Sequence, residues 1–258
     1  MSLENNYKIK KLLQAWPKGT VCLTSWLTAH GYSSQLLYRY KKSHWIAAVG
    51  SAAVKQYGDT IHVEGALYAL QQQANSTIHF GGKTALALLG RSHYLEFNTQ
   101  EYVLFGGATE KLPSWMVQYP WGVSLVYYST SFLPPGLGLV SKEFTNYSIQ
   151  ISGTARALLE CLYLAPQHED LITCYEIMEG LVDLRPQTVQ SLLVACTSVK
   201  VKRLFLYMAE KAQHPWLTYL DFSTIDLGKG NRSLVKNGVY VSQYKITVPK
   251  ELATYGTV

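Results

Sequence analysis

With 258 residues the chain is long enough for one large domain or two smaller ones, and a 48% hydrophobic content excludes a disordered chain. Its 23 Lys and Arg outnumber 17 Asp and Glu, and the excess is unevenly placed. Residues 1–60 hold eight basic groups against only Glu4 and Asp59, whereas the other 198 residues hold 15 of each sign. A basic end on a neutral body is the electrostatic footprint of nucleic-acid binding.

Ile9, Leu12, Leu13 and Trp16 recur at helical spacing, which predicts an amphipathic helix over residues 5–16. Pro17 ends it, because the residue before a proline is pushed out of helical conformation. Thr24 or Ser25 is placed to cap a short second helix whose apolar residues are Trp26, Leu27 and Ala29, and Gly31 closes it in a positive-φ turn. Ser33 or Ser34 then caps a third helix running to Lys42. Leu36, Leu37 and Tyr40 give this helix an apolar face, and Gln35, Tyr38, Arg39 and Lys42 project from another. Gln and Arg hydrogen-bond base edges in pairs and Lys meets phosphates, so that set suits a DNA major groove. Residues 45–49 and 53–55, joined through Gly50-Ser51-Ala52, read as a hairpin wing. The candidate DNA contacts are Ser34, Gln35, Tyr38, Arg39, Lys41, Lys42, Ser51 and Lys55. The plain alternative is a helical hairpin with a solvated basic face; the charge asymmetry favours the DNA reading.

Val63–Gln73 is the next predicted helix, with Leu67 and Leu70 facing inward. Gly81-Gly82-Lys83-Thr84 opens another at residues 85–89. A phosphate-binding loop would need a glycine five positions before Gly82, where Thr77 stands, so the glycines are read as a tight entry to a packed helix. β-Branched and aromatic runs at 94–97, 102–105, 123–128 and 147–151 predict a small mixed or antiparallel sheet. Residues 112–141 carry no charge, but prolines and glycines interrupt them, which predicts buried strands and turns rather than a membrane span.

Helices are predicted through residues 153–213, broken at Ala165-Pro166 and Arg185-Pro186, the last starting near Ser198. Lys200, Lys202 and Arg203 crowd the start of that last helix, where positive charge opposes the helix dipole. They need either acidic neighbours such as Glu179 or Asp183, or an anionic partner; on the second reading they form an exposed partner-binding cluster. Short strands are predicted at 224–227, 239–241 and 244–248, with Asn237-Gly238 a hairpin signal.

Catalytic chemistry finds no linear motif. The seven histidines form neither HExxH nor an i, i+4 pair, no GxSxG frames a serine, and no acid pair has metal-binding spacing. Cys22, Cys161, Cys174 and Cys196 lack CxxC pairing and read as buried free thiols. No catalytic residue, metal or cofactor is expected. The opening MSLENNYKIKK has no apolar run, so no signal peptide and a cytoplasmic location are expected.

The runs SSQLLYRYKKSHWIAAVGSAAVKQYGD, VEGALYALQQQ and IHFGGKTALALLGRSHYL resemble the N-terminal region of AbiEi antitoxins, the antitoxin halves of bacterial type IV toxin–antitoxin pairs. VKVKRLFLYMAEKAQHPWL and STIDLGKGNRSLVKNGVYVSQYKITVP resemble that family's C-terminal domain, so the similarity spans residues 7–250. The resemblance implies repression through inverted repeats in the protein's own promoter and antagonism of a cognate nucleotidyltransferase-like toxin through the C-terminal domain. Family wings often carry basic residues about the turn, whereas Gly50-Ser51-Ala52-Ala53 carries none. The expected fold is α+β: a winged helix-turn-helix at 1–60, then a larger mixed α+β domain at 61–258, sheet-rich over 94–150, helical over 153–213 and closed by strands over 224–248. The expected function is a DNA-binding repressor and antitoxin. A stand-alone winged-helix regulator with a ligand- or protein-sensing C-terminal domain, and a nucleic-acid-processing enzyme with a dispersed site, are the alternatives.

Overall fold

Apolar residues three and four positions apart shape the N-terminal segment. The computed structural model describes residues 3–91 and 101–255. Helix α1 (Leu3–Ala15) leads through β1 (Val21–Leu23) into α2 (Thr24–Ala29) and α3 (Ser34–Lys42), followed by β2 (Ile46–Val49) and β3 (Ala53–Gln56). Ile9 and Leu12 of α1, and Trp16 just past its end, close a core with Leu27, Leu36, Leu37, Tyr40 and Val54. The three strands form an antiparallel sheet in the order β1-β3-β2, with Val54 opposite both Cys22 and Ala48. Helix, strand, two helices and a hairpin, in that order, is the element order expected of a winged helix-turn-helix.

The turn between α2 and α3 follows from one residue. Gly31 takes φ +84°, and the Tyr32 N–H reaches back to the Leu27 carbonyl at 3.0 Å, a Schellman-type closure. Ser33 then caps α3, its Oγ accepting from the Leu36 N–H at 3.3 Å. The start of α2 departs from expectation. Neither Thr24 nor Ser25 caps it; Leu23 holds the cap position without a side-chain bond. Because β1 runs straight into the helix, the Thr24 N–H and hydroxyl are already given to the Ala52 carbonyl, at 2.9 and 3.1 Å.

Helix α4 (Val63–Gln73) has the expected bounds and packs against β1. The Leu23 N–H donates to Gln73 Oε1 at 2.8 Å, and Gly65 lies so close to the Gly19 carbonyl that a Cβ there would overlap its oxygen. The chain continues through β4 (His79–Phe80), α5 (Gly82–Leu88), β5 (Glu101–Gly106), α6 (Ser114–Gln118), β6 (Ser124–Ser129), β7 (Leu139–Glu143) and β8 (Ser148–Ser152). These strands form a five-stranded sheet in the order β6-β5-β4-β8-β7. Parallel pairing of β5 with β6 and of β4 with β8 excludes a purely antiparallel sheet. The strand expected at 94–97 lies outside the described residues. Within the uncharged stretch, α6 replaces expected strand or turn: it starts just after Pro113 and buries Trp115 and Met116.

Helices α7 (Thr154–Leu164), α8 (Leu171–Glu179), α9 (Pro186–Ala195) and α10 (Val199–Lys211) fill the region predicted helical. Short 3-10 turns at Pro215–Tyr219 and Phe222–Thr224 follow, then β9 (Arg232–Ser233), β10 (Val239–Val241), β11 (Ile246–Val248) and α11 (Lys250–Thr254). The strand expected at 224–227 does not form. Asp221 Oδ1 takes the Ser223 N–H at 3.0 Å and Asp226 Oδ1 takes the Gly228 N–H at 2.8 Å, local bonds that compete with a ladder. Asn237, at φ 58°, does turn the chain, but β9 and β10 are not partners: β11 lies between them, parallel to β9 and antiparallel to β10.

The chain divides into two compact units, each discontinuous in sequence. One comprises Met1–His79, Gln100–Ser129 and Ser141–Gln150; the other comprises Phe80–Thr99, Thr130–Val140 and Ile151–Val258. The boundary expected at residue 60 does not coincide with this division.

Candidate nucleic-acid interface

The two sides of α3 have opposite characters. Leu36, Leu37 and Tyr40 are buried in the core, while Gln35, Tyr38, Arg39 and Lys42 form an exposed stripe at i, i+3, i+4 and i+7, Tyr38 being 67% exposed. Ser34 is exposed at the first turn and Lys41 is half-buried beside the stripe. Arg39, Lys41 and Lys42 occupy the last turn, where cations are favoured by the helix dipole, and none has an ion-pair partner among the described residues. The dipole accounts for cations at that end; it does not account for a glutamine and an exposed tyrosine in the same row.

The wing supplies less. Ser51 is exposed at the turn, but Lys55 is turned onto the Asp59 carbonyl at 2.7 Å and closes a local turn. Gly50 takes φ +62°, and a Cβ on it would lie 2.7 Å from Trp115 Cβ and 3.0 Å from Trp115 Cα, so the wing turn is seated against α6. Aromatic groups not foreseen in the sequence stand next to α3. Trp45 and Tyr57 are 39% and 56% exposed, and the His44 ring lies 4.7 Å from that of Tyr57. The Tyr57 N–H bonds the Trp45 carbonyl at 3.0 Å, which sets these residues at the open end of the hairpin. An aromatic residue at the start of the first predicted wing strand, Trp45, and another just past the second, Tyr57, were the available signal.

The basic cluster on α10 is not exposed. Arg203 is 1% exposed, and its guanidinium donates to the carbonyls of Leu227, Gly228, Gly230 and Lys245 at 2.7–3.1 Å. Lys202 is buried too, and Lys200 Nζ donates to the carbonyls of Tyr163 and Ala165 at 2.8 and 2.6 Å. Burial draws both the Lys200 and Arg203 pKa below their ordinary values. Among the described residues neither expected acidic neighbour pairs with the cluster: Asp183 pairs with Arg91, and Lys200 and Arg203 spend their charge on backbone carbonyl dipoles. The expectation of an exposed partner-binding surface at Lys200, Lys202 and Arg203 is therefore corrected.

The Gly81-Gly82-Lys83-Thr84 turn is likewise occupied by the protein itself. The Gly82 N–H donates to Glu160 Oε2 at 2.9 Å, and Lys83 pairs with Glu169. The four cysteines are buried and free, and burial pushes the Cys22 and Cys174 thiols up to about 12, which leaves them protonated at neutral pH. Among the described residues no group of His, Cys, Asp and Glu could hold a metal ion, and no helix is long and apolar enough to cross a membrane.

An exposed basic helix face on this element order opens an α+β chain. Residues 5–97 match the family model described as "Transcriptional regulator, AbiEi antitoxin N-terminal domain", and residues 99–249 match that described as "Transcriptional regulator, AbiEi antitoxin, Type IV TA system". The chain belongs to the AbiEi antitoxin family of transcriptional regulators. A solved structure, that of the RV2827C protein from Mycobacterium tuberculosis, aligns with a TM-score of 0.55 over 95% of this chain and 91% of that one. At 12% identity this likeness shows the fold alone. No curated protein sequence matches the chain.

Proposed function

We propose that this protein is a cytoplasmic repressor that reads repeats in its own promoter with α3 and counters a cognate nucleotidyltransferase-like toxin through residues 61–258. The observation that carries the DNA reading is the exposed stripe Gln35, Tyr38, Arg39 and Lys42 on a helix whose opposite face is sealed in the core. Gln35 and Arg39 take the base edges; Lys42 and Lys41 take phosphates; Tyr38 packs between them and the groove wall. Ser34 and Ser51 serve as hydroxyl donors to the backbone. The reading assigns no catalytic role, metal or cofactor to the chain. Support for the toxin half comes from the family model that covers residues 99–249.

Gel-shift titration of promoter and random duplexes tests the DNA half. Arg39→Ala should weaken promoter binding by about 1–3 kcal/mol and random binding much less, whereas Lys42→Ala should weaken both alike. Equal losses on the two duplexes for Arg39→Ala would remove it from base readout. Co-expression of the full chain with the toxin encoded beside it tests the other half; absence of such a gene would favour a stand-alone regulator.

A further inference from the structure

A cavity of about 750 Å³ opens within the second compact unit, and none of its lining residues belongs to the candidate DNA face. That volume lies in the range of small-molecule sites, about 300–1,000 Å³. Its electrostatics are the informative part. Three arginines line it: Arg91, Arg156 and Arg185. Arg156 is already committed, with Nε on Glu160 at 2.9 Å and Nη1 on the carbonyls of Pro134 and Leu137 at 2.9 and 2.6 Å, so it builds the wall. Arg91 pairs with Asp183 at 2.5 Å, both side chains being open to solvent. A solvent-exposed pair of this kind is weakly held, so an arriving anion can take its arginine over. Arg185 is exposed and has no ion-pair partner among the described residues. Asp183 balances Arg91 and Glu160 balances Arg156, so Arg185 is the unbalanced charge of the cavity.

Backbone donors point the same way. The cavity is bordered by the starts of α7 and α9, neither of which has a side-chain cap. At α7 the cap position is Gly153, which is buried, is bonded through its own N–H to the Gly138 carbonyl at 2.8 Å and has no side chain to offer the next N–H groups, of Thr154 and the buried Ala155. Leu137, Leu139 and Val140 add an apolar wall.

We propose that this cavity binds a phosphorylated small molecule of about nucleotide size. The phosphoryl oxygens are held by Arg185, by Arg91 once it leaves Asp183, and by the Thr154 and Ala155 N–H groups, with the organic part against the apolar wall. A phosphoryl group fits better than a single carboxylate because its three oxygens can use a fork and a helix start together. Thr188 and Ser191, on the cavity side of α9, provide hydroxyls for the rest of the ligand.

Calorimetric titration of the full chain with adenosine 5′-monophosphate and, separately, with inorganic phosphate tests this, in buffer free of other polyvalent anions. Saturable binding of both is expected, the nucleotide at least tenfold tighter. Arg185→Ala should weaken the nucleotide at least tenfold; Thr188→Glu, which brings a carboxylate to the lining, should abolish binding, with unliganded melting unchanged in both variants. Lys229→Ala, an exposed basic residue outside the lining, and Arg39→Ala should bind as wild type does. Promoter gel shifts run in parallel keep a failure here distinct from a failure of the DNA reading. The proposal is overturned if neither probe binds saturably, if phosphate binds as tightly as the nucleotide, or if Arg185→Ala leaves binding unchanged.

Discussion

Gly65 sets two well-known effects against each other. It stands in the first turn of α4, where replacement by alanine would ordinarily stabilise by about 1 kcal/mol, because alanine loses less backbone freedom in a helix. Here a Cβ would overlap the Gly19 carbonyl oxygen and lie 2.9 Å from its carbon and 3.0 Å from Thr20 Cα. These obstacles are backbone atoms and they are tied down. The Gly19 N–H donates to Asp59 Oδ2 at 2.7 Å, the Thr20 hydroxyl donates to the Pro17 carbonyl at 2.7 Å, and Trp16 Nε1 donates to Thr20 Oγ1 at 3.1 Å. Either α4 backs away from β1, loosening Val63, Ala66, Leu67 and Leu70, or the 17–20 turn gives up its bonds. Overpacking of a rigid site costs about 3 kcal/mol, the upper part of the usual range, so the net effect of Gly65→Ala is a loss of about 2 kcal/mol. For a chain of this size that is a fall of roughly 4–8 °C in Tm. Circular dichroism melts of wild type, Gly65→Ala and Gly180→Ala measure it. Gly180 ends α8 with its nearest obstacle at 3.5 Å, so its alanine variant should melt within about 2 °C of wild type. A melting point for Gly65→Ala at or above that of wild type would refute the reasoning and show that α4 slides away from the turn freely.

Two further outcomes follow from buried polar groups. Arg203→Met should cost about 3 kcal/mol or more in urea unfolding, since it strands carbonyls of Leu227, Gly228, Gly230 and Lys245 that now share one guanidinium, while promoter affinity stays unchanged; a loss below about 1 kcal/mol would return that cluster to the surface. Burial works to raise the Glu110 carboxyl, but hydrogen bonds from Thr77 and Ser76 and from the Thr77 and Gly107 N–H groups outweigh it and hold the pKa below its ordinary value. A lowered folded pKa means that this stabilisation is full above the unfolded value near 4.5 and is lost as pH falls through the folded one. Glu110→Gln should therefore flatten the acid limb of Tm against pH between about pH 3 and 6, and an unchanged slope would sink the assignment.

Helices were legible where spacing and punctuation agreed. Val63–Gln73 has the bounds its apolar period implied, Ser33 caps α3, and Pro166 and Pro186 separate helices where they stand in the chain. The α3 stripe was legible for the same reason, because a single helix's two faces are encoded within nine consecutive residues. What failed was non-local. Arg203 in the α10 cluster looked exposed because its acceptors, the carbonyls of Leu227, Gly228, Gly230 and Lys245, are backbone groups 24 to 42 positions away that carry no mark in the sequence. The aspartates at 221 and 226 undid a β-branched run by local bonding, and Asn237-Gly238 turned the chain without pairing the strands beside it. The cavity between α7 and α9 was invisible: its arginines, at 91, 156 and 185, are dispersed along the chain and meet only through packing.

A wing turn held backbone-close to Trp115 cannot swing to follow a second groove, and it offers no cation there. On the proposed reading, discrimination then falls to one nine-residue helix, which brings roughly three to four side chains to base edges. A word that short recurs about once in every few hundred base pairs, against ~10⁶–10⁹ competing positions in a genome. One copy reading one word would be diluted over chance matches. Two copies reading words a fixed number of helical turns apart multiply the rarities of those words, so the protein's address lies as much in the distance between repeats as in their letters.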